Sequence, residues 1–181
     1  MLRFALMGIV AGLLARASQD EQAPKGRSVK VGGLQAHAPV DWKGEKPANR
    51  LRSHQFRLPR AKEDKEDAEL AVLPDLPGRP EENLQRWKEL FMPPEGKTID
   101  DIARIERFKI GKVQATYVDI AGTYLYKDRP LAAKGTPRPD YRMLAVMLEG
   151  DEAVHLIRTV GPATTIQLNK GAFDAFIKAL K

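Results

Sequence analysis

The segment His155–Lys181, HLIRTVGPATTIQLNKGAFDAFIKALK, decides how this chain folds. Its apolar opening reads as a strand, and the run breaks at Gly161-Pro162. After two threonines, Ile166, Leu168, Ala172, Phe173, Phe176, Ile177 and Leu180 recur at helical spacing, so the tail is an amphipathic helix. A Gly-Pro-x-Thr-Thr break between strand and helix invites comparison with a loop that cradles phosphate. Such a loop needs several glycines, so that backbone amides converge, and commonly a lysine at its end. This break has one Gly and a Pro, which carries no N–H. It is therefore read as a corner, with Thr164 or Thr165 as the helix N-cap.

Working upstream, YRMLAVMLE (141–149) and AVHLIRTV (153–160) read as two strands joined by a tight turn at Gly150-Asp151. ARIERFKI (103–110), the turn Gly111-Lys112 and VQATYVDIAGTYLY (113–126) read as a hairpin. A Pro-rich loop from Lys127 to Asp140 separates the two pairs. Before them, PGRPEENLQRWKELFMPPEG (77–96) has Pro80 at a first helical position, Glu81 and Glu82 at the positive end of the dipole, and Pro93-Pro94 as a stop. Leu84, Trp87, Leu90 and Phe91 would form its single buried stripe. RLRSHQFRLP (50–59) and DAELAVL (67–73) read as an earlier antiparallel pair, joined by the charged turn AKEDKED (61–67).

At 181 residues, with 43% hydrophobic and 30% charged residues, the chain fits one globular domain with a real core. The net charge of +6 is spread without a basic stripe, which excludes a nucleic-acid footprint. At the N-terminus, Arg3, the apolar stretch from Phe4 to Leu14 and Ala15-Arg16-Ala17 have the order of a secretory signal with a small-x-small cleavage site. The stretch is shorter than the roughly 20 residues a membrane span needs. An uncleaved interfacial anchor or a buried N-terminal helix is the alternative. Residues 1–17 are thus read as a signal peptide, 18–30 as a polar disordered leader, and 31–181 as the domain. There is no cysteine, hence no disulfide, thiol chemistry or lipid-modified cysteine.

The order strands, helix, four strands, helix is carried by APVDWKGEKPANRLRSHQFRLP (38–59), DAELAVL, NLQRWKELFMPPEGK (83–97), DIAGTYL (119–125), PDYRMLAVMLEG (139–150) and TVGPATT (159–165). With these motifs the chain resembles the PsbP-like α-β-α sandwich superfamily. It is most similar there to a group of uncharacterised exported bacterial proteins typical of planctomycetes. The resemblance implies an α+β domain with an antiparallel sheet and two main helices. It implies no particular activity, because the fold hosts binding roles in unrelated compartments.

His37, His54 and His155 stand on separate elements without the H-x-x-x-H or H-E-x-x-H spacing of a zinc site, and are read as surface or sheet-face residues. Ser53, the one serine inside the domain, lacks a G-x-S-x-G elbow. Glu63, Asp64, Glu66 and Asp67 alternate with lysines, which suits a solvated turn better than a calcium loop. The candidate partner-binding surface is aromatic and basic: Trp42, Tyr124, Tyr126, Tyr141 and Arg142 with the 127–140 loop. The competing reading makes Trp42 a cap on the sheet edge, Tyr124 and Tyr141 a cross-strand pair, and Arg142 the ion-pair partner of Asp119 or Glu149.

The sequence thus describes an exported, non-catalytic binding or interaction domain, with no metal or cofactor site. Its partner would be an envelope protein or small ligand, not nucleic acid. The alternative is an envelope enzyme whose groups meet only in the fold. Protein recovered from its native host should begin at Ser18 or within a few residues of it on N-terminal sequencing; an intact Met1 would overturn the export reading.

Overall fold

The computed structural model describes residues 26–127, 134–151 and 153–181. The elements run β1 (Ser28–Val31), β2 (Leu34–His37), β3 (Lys43–Glu45), β4 (His54–Leu58), β5 (Ala68–Leu76), α1 (Pro80–Lys88), β6 (Phe91–Met92), β7 (Ala103–Ile110), β8 (Val113–Tyr126), β9 (Thr136–Glu149), β10 (Val154–Pro162) and α2 (Ala163–Lys178). The chain is mixed α/β, an antiparallel sheet with two helices. No helix among the described residues is long and apolar enough to cross a membrane.

Strand β9 is the spine of the sheet, because six consecutive side chains, Met143 to Leu148, are buried on alternate faces. Leu144, Val146 and Leu148 join the core under α2, with Phe56, Leu70, Ile157, Ile166, Phe173 and Phe176. Met143, Ala145 and Met147 join a second core on the other face, with Trp87, Phe91, Ile120 and Leu156. Burial on both faces explains why this strand reads as a continuous apolar run and not as an alternation. The sheet order is β3-β4-β5-β10-β9-β8, with β6 and β7 both on the outer edge of β8, β7 beside Val113–Ile120 and β6 beside Thr123-Tyr124.

The corner at Gly161 turns β10 directly into α2. A Cβ on Gly161 would lie 2.6 Å from the Ala68 Cβ and 2.8 Å from its Cα, so only glycine lets β10 lie this close to β5. Pro162 is the N-cap and makes no side-chain cap bond, which corrects the threonine cap read from the sequence. The cap comes from elsewhere in the chain. Asp64 accepts from the Thr165 N–H at 2.8 Å and the Thr165 hydroxyl at 2.5 Å, and that hydroxyl accepts from the Ala61 N–H. A carboxylate there also meets the positive end of the helix dipole.

Other expectations change as well. The α1 helix stops at Lys88, short of Pro93, because Phe91 and Met92 pair with β8 where β7 no longer covers it; Leu90 C=O accepts from Leu125 N–H at 2.8 Å. The buried stripe keeps Trp87 and Phe91, while Leu84 and Leu90 are half-buried. The loop expected over 127–140 is shorter, since Thr136–Asp140 already belong to β9. Pro137 and Pro139 are tolerated there because β10 pairs with β9 only from Tyr141 onward, leaving that edge without a ladder to satisfy. Pro130 lies outside the described residues.

At the other end, Ser28–Lys30 of the expected leader form β1, whose hairpin with β2 packs Val29, Val31 and Ala36 into the α2-side core. Gln35 and Lys181 exchange backbone hydrogen bonds, tying this hairpin to the end of α2. Residues 1–17, read from the sequence as a signal peptide, and residues 18–25 lie outside the described residues.

Trp87 is 4% exposed and anchors α1 to the second core. Trp87→Ala should cost about 3 to 5 kcal/mol in chemical denaturation. An unchanged unfolding midpoint would remove α1 from the sheet.

Candidate functional site

Of the five residues expected to form one surface, the three tyrosines cluster around Arg138, while Trp42 and Arg142 stand on the α2 side of the sheet. Trp42 is 4% exposed, deep in the α2-side core, with its ring edge-on to Phe176 at 5.5 Å. Tyr124 is buried on the other face of the sheet and stacks on Tyr141 at 5.8 Å and 7°. Tyr126 is exposed and lies under the Arg138 guanidinium, 4.1 Å from its ring centre. Arg142, opposite Ala121 in the register, reaches diagonally to Asp119 and holds it with two bonds of 2.7 and 2.6 Å while reaching Gln167 on α2.

Glu66, from the charged turn, joins this tyrosine cluster by bonding both Arg138 at 2.5 Å and the Tyr141 hydroxyl. Burial, then hydrogen bonding to Glu66, raises the Tyr141 pKa above the ordinary tyrosine value. Three of the four acids of that turn are thus taken up by partners: Asp64 by α2, Glu66 by Arg138, Asp67 by Arg57 and Arg60. The histidines stay apart, on β2, β4 and β10. His54 is pushed below the usual histidine range by burial and then by Arg27, and His155 lies beside Asp75.

What the fold does bring together is a groove of about 340 Å³ where α2 steps down to the open face of β7 and β8. The alternation of β8 that buries Val118 and Ile120 under α1 turns Tyr117 and Asp119 toward α2. Arg104, Glu106 and Phe108 line the groove beside them from β7. Lys170 and Asp174, one helical turn apart, form the facing wall with Ile177 and Lys178.

Three polar groups close a triangle here. The Tyr117 hydroxyl donates to Asp174 at 2.8 Å, and Lys170 donates to that hydroxyl at 3.1 Å and to Asp174 at 2.7 Å. Phe173 packs edge-on against the Tyr117 ring at 6.0 Å, fixing its position. Burial, then the hydrogen bond to Asp174, then the negative charges of Asp174 and Asp119, push the Tyr117 pKa far above the ordinary tyrosine value. The phenol therefore keeps its proton at neutral pH and acts as a fixed donor. The arrangement offers a charged, pre-oriented rim with an apolar floor of Phe108 and Ile177.

Sequence reasoning passed over this groove. Its local signals were the polar Tyr117 and Asp119 in an apolar strand and the i, i+4 pair Lys170 and Asp174, but their convergence spans more than 50 residues.

No family model matches the chain, and no curated protein matches it. Among solved structures it is similar to a Pseudomonas aeruginosa protein of unknown function, PA94, with 12% identity and a TM-score of 0.46 over 87% of this chain and 97% of that one.

The raised Tyr117 pKa has a stability signature. Above pH 10 the unfolded chain releases the tyrosine proton that the folded chain retains, so this contribution is complete below pH 10 and is lost as pH rises beyond it. The stability of wild type should fall relative to Tyr117→Phe between about pH 9 and about pH 11.5 in urea titrations. Parallel curves would place the phenol in solvent.

Proposed function

We propose that this chain is an exported, non-catalytic binding domain that seats a small ligand or a segment of an envelope partner in the groove between α2 and β7–β8. The observation that carries this reading is the closed set of contacts among Tyr117, Lys170 and Asp174 beside the Asp119–Arg142 pair. Each of these groups is held in place by a neighbour, which is how a surface is prepared to recognise charge without reorganising on binding. Export is supported by the order of charge, apolar stretch and small residues in 1–17. The PsbP-like α-β-α assignment is supported by the quoted motifs and by a helix on each face of the sheet.

The enzyme reading draws on the same three titratable groups within hydrogen-bond reach. It is the weaker one, because a base needs a pKa near the working pH and the Tyr117 shift runs the other way.

The test is capture from the envelope fraction of the native host with immobilised protein lacking residues 1–17. Lys170→Ala/Asp174→Ala should lose the retained species, while Tyr126→Ala, outside the groove, should keep it. Equal retention by both variants would move recognition away from the groove.

A further inference from the structure

Strand β7 lies at the sheet edge beside this groove. It pairs along all eight of its residues with β8, and no described residue pairs with its other side. The two-residue turn Gly111-Lys112, with Gly111 at φ +58°, sets Ile110 opposite Val113 as a hydrogen-bonded pair. By the period of two, Phe108, Glu106 and Arg104 also direct their N–H and C=O groups to β8. Ala103, Ile105, Arg107 and Lys109 present theirs outward. An open edge of this length is a template for one more strand.

Both faces of that edge are shaped. On the α2 side lies the groove just described, with Arg104, Glu106 and Phe108 on its edge strand. On the α1 side a second cleft of about 470 Å³ is lined by Arg107, Lys109 and Gln114, with Glu81 and Glu149 further in on α1 and β9. An added strand would send alternate side chains toward the two clefts, the arrangement by which strand-addition domains gain specificity. The charges select the strand. Arg104 and Glu106 pair with each other, so Arg107, Lys109 and the turn residue Lys112 leave the edge basic.

We propose that the open edge of β7 binds an extended acidic peptide by strand addition, its acids beside Arg107 and Lys109 and its apolar residues beside Phe108. The inference deepens the groove reading and rests on it for the α2-side contacts. A second copy fits worse: full-length antiparallel pairing of β7 with itself centres on Glu106 or Arg107 and sets that charge against its own image.

The probe is an acetylated, amidated octapeptide alternating Glu and Val, titrated into isotope-labelled protein lacking residues 1–17. Binding should saturate, weaken with added salt, and protect the Ile105, Arg107 and Lys109 amides from exchange. The same peptide with every backbone nitrogen methylated should not bind, nor should its Lys/Val counterpart. Arg107→Pro removes one outward N–H at an edge position that tolerates proline, and should weaken binding about tenfold with an unchanged melting temperature. Lys170→Ala/Asp174→Ala should retain the edge protection.

Wild-type affinity in Arg107→Pro, with binding lost in the Lys170→Ala/Asp174→Ala variant, would overturn strand addition and leave the groove reading standing. Binding of the methylated peptide, no binding at all, or sedimentation as a dimer that Arg107→Pro dissolves would also overturn it. The groove itself is judged by the envelope capture.

Discussion

The contact on which the rest depends is the approach of Gly161 to Ala68. With no side chain between them, β10 lies against β5 until the chain turns, and Pro162 carries it straight into α2 with no loop. A helix launched without a loop has little freedom of direction. Its apolar side must then meet the sheet where Leu144, Val146 and Leu148 stand, and each large side chain that it buries there contributes about 1.5 to 3 kcal/mol. Asp64 holds the start of the helix, and the Gln35–Lys181 backbone bonds hold its far end.

Fixing α2 in this way leaves β7 uncovered on that face. The polar groups of the α2 flank, Lys170 and Asp174, come down on Tyr117, while Gln167 reaches Arg142. The groove is therefore the step between a helix that covers the middle of the sheet and a sheet that extends beyond it. The opposite face repeats the pattern with less material. The short α1 helix packs through Trp87 and leaves the outer part of β7 and β8 to a second cleft. Both clefts and the open edge arise from one cause: eight strands are wider than the helices laid across them.

Local patterns in the sequence give the elements that are held by local interactions. The β7–β8 hairpin follows from Gly111-Lys112, α2 from the spacing of Ile166, Phe173, Phe176 and Ile177, and the corner from a single glycine followed by proline. The end of α1 was not legible, because Phe91 leaves the helical pattern only to pair with Tyr124, on a strand formed much later in the chain. Nor was the capping role of Asp64, 101 residues from Thr165. Of the candidate site, residue type alone suggests a Tyr124–Tyr141 pair and an acid, Asp119 or Glu149, for Arg142; the register sets Arg142 opposite Ala121 and Tyr141 opposite Gly122, so both observed contacts are diagonal. Trp42 groups with the binding aromatics because aromatics with Arg are what binding hot spots use, yet its ring fills the space between Phe56 and Phe176. The groove depends on residues of β7, β8 and α2, and of their contacts only the i, i+4 pair Lys170–Asp174 follows a spacing rule.

The central claim is that the Gly161 corner sets α2 on the sheet and so builds the Tyr117 groove. Gly161→Ala tests it by measuring stability and the tyrosine titration in the same protein. The added methyl must displace Ala68 or the corner, which should cost about 1 to 3 kcal/mol, and the shift of α2 should move the Tyr117 pKa back toward its ordinary value as Asp174 and the covering atoms withdraw. A variant with wild-type stability and an unchanged tyrosine titration would contradict the account.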